Sequence, residues 1–303
     1  MHVGTRQGGS IPARLLSPSP MKRAVYLTLL RIWCTVRESW VRTPPCSRAR
    51  AQSVRLAHAA RRVRKALRYL SAVLLPSACA LCGTSSRELL RKPCAFCLDD
   101  PRLRCTRCAL PWIEPSAGER VGPDSLCGRC IARAPAYDAT VCVADYAEPA
   151  DALVIALKFL GRLELACLLG TTQAQRTLQS GALLPDLVIP VPLSAARLCT
   201  RGYNQAHEIA RTFARALDRP YCAGCIARVR DTPAQSGLRG AARWRTMRRA
   251  FRVIRTQRVR GAHIGLVDDV MTSGATLDAA ALALKRAGAA RVTVFVVLRT
   301  PIP

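Results

Sequence analysis

Ile264-Gly265-Leu266-Val267-Asp268-Asp269-Val270-Met271-Thr272-Ser273-Gly274-Ala275-Thr276 sets an apolar run, two acids and a turn of small residues in direct succession. Ile264 to Val267 is short and apolar, as expected of a buried parallel strand. Asp268 and Asp269 stand at its carboxyl end. Thr276 to Gly288 then reads as an alanine-rich helix closed by glycine, and Val292 to Leu298 as a second, β-branched strand. Strand, loop, helix, strand is one crossover unit of an open parallel sheet, so the fold class is α/β and Rossmann-like. Ligands of such sheets bind outside the carboxyl ends of the strands.

The residue types at that place narrow the chemistry. A turn of Thr272, Ser273, Gly274, Ala275 and Thr276 offers backbone N–H groups and hydroxyls at a helix start, where the helix dipole favours an anion. Asp268 and Asp269 cannot bind phosphate. They suit hydrogen bonds from sugar hydroxyls, or a divalent cation. A phosphate at one end and a diol at the other describe a ribose 5-phosphate. The stretch resembles the signature of type I phosphoribosyltransferases for 5-phosphoribosyl-1-pyrophosphate (PRPP). The resemblance implies that Asp268 and Asp269 contact the ribose hydroxyls and that Thr272 to Thr276 hold the 5-phosphate, with Mg2+ accompanying PRPP. In the hypoxanthine-type salvage enzymes an Asp occupies the position of Thr272, and its absence argues against that specificity.

Upstream, Leu187 to Val191 is another strand candidate, followed by Ser194, Arg197, Arg201-Gly202-Tyr203-Asn204-Gln205. Arginine among small residues at a strand end suits pyrophosphate, since a guanidinium presents several oriented donors. Asn204 to Leu217 carries apolar residues at Ala206, Ile209, Ala210 and Phe213, a core-facing helical stripe. Lys158 lies amid apolar residues before Gly161, where a lone lysine by default snorkels to the surface.

Fifteen cysteines are unevenly spread, and eight form four C-x2-C pairs: Cys79/Cys82, Cys94/Cys97, Cys105/Cys108 and Cys127/Cys130. Two such knuckles complete a tetrahedral four-thiolate zinc site, so eight ligands make two closed, structural sites. Sequential and interleaved pairing both have workable loops. A secreted disulfide scaffold is excluded by length and by the α/β domain that follows, which points to a reducing compartment. Arg91, Lys92, Arg102, Arg104 and Arg107 offer the module a basic face, for nucleic acid or simply for solvent. Cys222/Cys225 lacks a partner pair and reads as chance, as do Cys34, Cys46, Cys142, Cys167 and Cys199.

These elements in this order resemble the competence protein F (ComF) family: the cysteine pairs, Leu157-Lys158-Phe159, Pro190-Val191-Pro192 with Arg201 to Gln205, Arg228 to Gln235, Arg243, Ala250-Phe251 and the PRPP loop. The match covers about residues 70 to 299. It makes Asp268, Asp269, Lys158 and Arg201 the candidate catalytic residues. Departures fall at Ala234, Thr246 and Arg249, in the segment that resembles a hood over the active site. Arg228 to Arg260 holds 11 arginines and one acid, Asp231, and reads as a mobile basic flap over pyrophosphate or DNA, or as a solvated loop.

The formal net charge is +28, and half the residues are hydrophobic, which excludes a chain disordered throughout. Only 5 of the 47 basic residues are Lys, so part of the arginine excess reflects coding bias. The expected organisation is a basic extension over 1–75, a double zinc-ribbon module over 76–135 and a phosphoribosyltransferase-type domain over 136–303. The extension reads as a polybasic arm, a transit peptide or an over-extended start, with Ala66 to Leu75 as a short helix. Its run Ala24 to Cys34, broken by Arg31, is too short to span a bilayer, and thiolate zinc sites favour the cytoplasm. Two functions remain open: phosphoribosyl transfer to an unknown acceptor, or an adaptor of DNA uptake whose partners are PRPP, single-stranded DNA and uptake proteins.

Overall fold

The computed structural model describes residues 77–112, 125–229 and 250–301. The extension over 1–75, with its expected helix at Ala66 to Leu75, and the departures at Ala234, Thr246 and Arg249 lie outside them. The chain divides into two compact units, Met1–Leu89 and Leu90–Pro303. The first unit shows a small antiparallel hairpin, β1 (Ser77–Ala78) with β2 (Ser85–Ser86). Its turn is a tight knuckle, in which Gly83 N–H donates to Cys79 O (3.0 Å) at φ +69°.

In chain order the second unit runs α1 (Lys92–Ala95), α2 (Gly128–Ala132), β3 (Ala139–Asp145), α3 (Ala150–Phe159), α4 (Glu164–Gln179), β4 (Leu187–Pro190), α5 (Ala195–Arg201), α6 (Gln205–Ala216), β5 (Ile226–Arg228), β6 (Phe251–Val253), β7 (His263–Met271), α7 (Ala275–Arg286) and β8 (Arg291–Arg299). Strands β3, β8, β7 and β4 form a parallel sheet in that spatial order. The two central strands are largely buried because both faces are covered. On one face Val292, Val294 and Val296 join Ile264 and Leu266 in a core with Leu277 and Leu284 of α7. On the other, Phe295 lies 4.8 Å, centroid to centroid, from Phe213 of α6. The predicted stripe of α6 is buried as expected, and Asn204 caps the helix by accepting the Ala206 N–H (3.0 Å).

One boundary differs from the sequence reading. β7 does not end at Val267 but continues through both acids to Met271. Its neighbour β8 keeps pairing, with Asp268 opposite Val296 and Met271 opposite Arg299. On the other flank β4 ends at Pro190, opposite Val267. The acids therefore begin where one neighbouring strand stops, which opens a rim at the carboxyl end of the sheet.

Candidate functional site

At that rim the end of α3 meets β7. Lys158, in the last turn of α3, places Nζ 3.0 Å from Asp269 Oδ1. The lysine does not simply snorkel. Leu153, Val154 and Leu157 bury the apolar side of the helix and so aim its terminus at the acids. Asp269 N–H donates to Asp268 Oδ1 (2.9 Å). Asp268 keeps part of its surface open, while protein crowds its carboxyl. That desolvation, together with the charge of Asp269, pushes its pKa up to about 7, against the pull of Lys158 and Arg228. Arg228, at the end of β5, also stacks over Phe251 of β6 (5.7 Å). β5 and β6 pair antiparallel and form the base of the basic segment, whose residues 230–249 lie outside those described.

Beyond the acids the chain turns into α7. Gly274 adopts φ +79°, a left-handed conformation that glycine takes without strain, and a Cβ there would stand 3.2 Å from Tyr137 Oη. Thr272 and Ser273 are exposed, and Ser273 Oγ accepts the Ala275 N–H (3.4 Å). The turn thus presents two exposed hydroxyl residues at the amino end of a 12-residue helix. Helix dipole and backbone N–H groups make this an anion cradle.

Arg201 ends α5, which Ser194 caps and Gly202 (φ +77°) terminates. Its guanidinium lies 5.2 Å from the centre of the Phe159 ring and donates to Gln205 Oε1 (3.1 Å). Tyr203 Oη donates to Leu157 O, and Asn204 Nδ2 to Val191 O (2.9 Å). These bonds tie the Arg201 segment to the helix end that carries Lys158. The fold therefore gathers Lys158, Asp268 and Asp269 into one cluster, brings Arg201 beside Phe159, and sets Thr272 to Thr276 next along the rim.

The sulfurs of Cys105, Cys108, Cys127 and Cys130 all lie within 4.8 Å of one another. The third and fourth pairs thus face a common centre. Hydrogen bonds from the Cys108 thiol and the Cys127 N–H (3.3 Å) pull the Cys105 pKa below the ordinary thiol range. A set of four soft sulfur donors gathered this closely fits zinc. Cys79 and Cys82 occupy the knuckle of the first unit, where Cys82 Sγ contacts Thr84 Oγ1 (3.3 Å). Cys94 and Cys97 sit on the helical turn of the second unit, with Cys97 Sγ donating to Cys94 O (3.1 Å). The basic face is partly spent internally. Arg102 and Arg104 pair with Asp100 and with Asp145 of β3, at 2.7 and 2.8 Å for the two bonds to Asp145. Cys222 and Cys225, read as chance, are joined in a disulfide, their Cα atoms 5.7 Å apart in the turn before β5. C-x2-C spacing serves either a metal or a local bridge, and no partner pair stood near.

A scan against protein-family profiles finds no match. Against individual proteins, the chain is 32% identical over 176 residues to a protein named competence protein F from Haemophilus influenzae, 56% of this chain and 76% of that one. The chain belongs to the ComF family. A second ComF relative, named DNA utilization protein YhgH, from Salmonella typhimurium, is 35% identical over 233 residues, covering 75% of this chain and 98% of its own. Among solved structures, glutamine PRPP amidotransferase from B. subtilis aligns at 22% identity and a TM-score of 0.29, over 43% of this chain and 25% of its own. The α/β unit of this ComF chain is built on a four-stranded parallel sheet and carries the cysteine-rich segment ahead of its first parallel strand.

Two residues of this ComF chain escaped the sequence reading of the site, and Arg228 entered it only as the first residue of the basic segment. The charge of Arg228 is felt at Asp268, Tyr137 lies under Gly274, and Arg299 is buried at the end of β8. Arg299 left a signal, a charged residue closing an otherwise apolar strand. Tyr137 left none, because its partner is distant in sequence.

Proposed function

We propose that this ComF chain binds PRPP with Mg2+ at the rim of its parallel sheet and acts in the use or uptake of DNA. The observation that carries the reading is the cluster of Lys158, Asp269 and Asp268 beside the Thr272–Thr276 turn. Hydroxyls of a ribose suit the paired acids, which accept hydrogen bonds. A 5-phosphate suits the turn, where hydroxyls and N–H groups donate. Arg201 and Arg228 supply guanidinium groups for a pyrophosphate at the opposite side of the sugar. Asp268 and Asp269 are oxygen donors suited to a hard cation, and Mg2+ bound with PRPP would neutralise the pyrophosphate. Lys158 holds Asp269 in place. The names of the two relatives support the DNA role, and Cys105, Cys108, Cys127 and Cys130 are proposed to hold a structural zinc ion. The site residues are proposed in the roles that the family resemblance implies.

A second reading, an active phosphoribosyltransferase with its own acceptor, is favoured by the intact acid pair. Two assays separate the readings. Pyrophosphate release that requires PRPP and disappears in Asp268→Asn with Asp269→Asn supports turnover. Salt-sensitive binding of single-stranded DNA that survives the same changes supports an adaptor. A chain that neither retains PRPP nor binds DNA overturns both.

A further inference from the structure

Arg299 closes β8 and is 2% exposed, the largest fully buried side chain among the described residues. Its Nε donates to Cys108 O (2.9 Å), inside the third cysteine knuckle. Its Nη1 donates to Met271 O (2.9 Å), to Thr272 O and to Thr300 O (2.8 Å). One planar group thus holds the carbonyl of a candidate metal ligand and the two carbonyls that lead into the phosphate turn. Among the described residues no carboxylate pairs with this guanidinium, although a buried charge ordinarily needs a counter-charge. A four-thiolate zinc centre is a dianion, and it would lie beside the Cys108 carbonyl that Arg299 already binds. The knuckle has further anchors in the sheet: Thr140 N–H donates to Thr106 O (3.0 Å), and Thr140 Oγ1 to Arg107 O (2.6 Å). The segment between α2 and β3 reaches the phosphate helix as well, where Asp278 Oδ1 accepts the Ala136 N–H (2.6 Å). A cavity of about 530 Å3 is lined by Cys108, Cys130, Ser273, Asp278 and Arg299 together, so the two sites share a wall.

We infer that Arg299 is a positioning residue that locks the Thr272–Thr276 turn to the cysteine centre, so that metal occupancy there sets the grip of the turn on a phosphate monoester. This rests on the PRPP reading of the same turn. Zinc supplies the charge that makes the buried guanidinium favourable, and the guanidinium fixes Met271 and Thr272. The metal is then a conformational support for ligand binding as well as for the fold of the knuckles.

The test uses the zinc-loaded full chain and Arg299→Lys, which keeps the charge but loses the fork. Each is titrated with ribose 5-phosphate and, separately, with pyrophosphate and Mg2+. Loss of one or two charged hydrogen bonds predicts about tenfold weaker ribose 5-phosphate binding, with zinc content and pyrophosphate affinity held within about twofold. Unchanged ribose 5-phosphate affinity, or equal loss of both ligands, overturns the inference. Should Arg299→Lys fail to fold, hydrogen exchange on the wild type decides. Zinc extraction is expected to speed exchange at residues 272–276 by about tenfold while β8 stays protected, and an unchanged turn overturns the coupling. A wild type that binds neither ligand removes the PRPP reading, and the exchange result then decides the coupling alone.

Discussion

Asp268 is the residue whose environment departs most from that of a free carboxylate. Its neighbours are Asp269, Lys158 and Arg228, and burial outweighs the two cations to bring its pKa to about 7 from an ordinary 3.8. Below the ordinary value both the folded and the unfolded chain carry the proton. Between about 4 and 7 only the folded chain keeps it, so this residue lowers folding stability progressively as pH rises through that window. Asp268→Asn removes this cost of ionisation. The full shift corresponds to about 4 kcal/mol, and partial exposure of the residue reduces it to about 2 kcal/mol. The variant is therefore expected to melt roughly 4–8 °C above wild type at pH 8, with the gap shrinking towards pH 4. Thermal melts across that range check it, and a gap independent of pH contradicts it. The acid pair itself was legible in the sequence, because two acids after an apolar strand have no bland explanation. The Lys158 contact was not, since its partner lies on another element and only the packing of α3 against the sheet brings them together.

At the scale of elements, local patterns were read well wherever the period was unambiguous. The stripe Ala206, Ile209, Ala210, Phe213 gave α6, and the succession from Ile264 to Leu298 gave β7, α7 and β8 in order. What local pattern could not give was where β7 ends, which depends on β8 continuing beside it after β4 has stopped. Nor could it show how closely two helices approach. Gly170 of α4 faces α6, and a Cβ there would meet Ile209 O at 2.7 Å and Thr212 Cβ at 2.8 Å. Alanine favours an isolated helix by about 1 kcal/mol over glycine, but backbone cannot yield as a flexible side chain can. Gly170→Ala is therefore expected to destabilise by about 1–3 kcal/mol, as overpacked cores do, read as a lower denaturant midpoint. A raised midpoint would show that the two helices separate readily.

At the scale of the molecule, charge was the least informative property. The excess of +28 said that phosphate-rich partners are favoured, but not where they sit. The structure assigns Arg102 and Arg104 to ion pairs and Arg299 to backbone carbonyls, leaving Arg201 and Arg228 near the rim. No helix among the described residues is long and apolar enough to cross a membrane. The cysteine pairs were legible as candidate metal ligands from spacing alone. That the third and fourth face a common centre required the fold, because both pairings had workable loops. The central question for the molecule is whether the rim holds PRPP. Calorimetric titration of PRPP with Mg2+ into the zinc-loaded chain, beside a variant carrying Asp268→Asn and Asp269→Asn, asks this most directly. Saturable binding in the wild type that is lost in the folded variant is the predicted result. A well-folded wild type that takes up no PRPP, or a variant that binds as the wild type does, would contradict it.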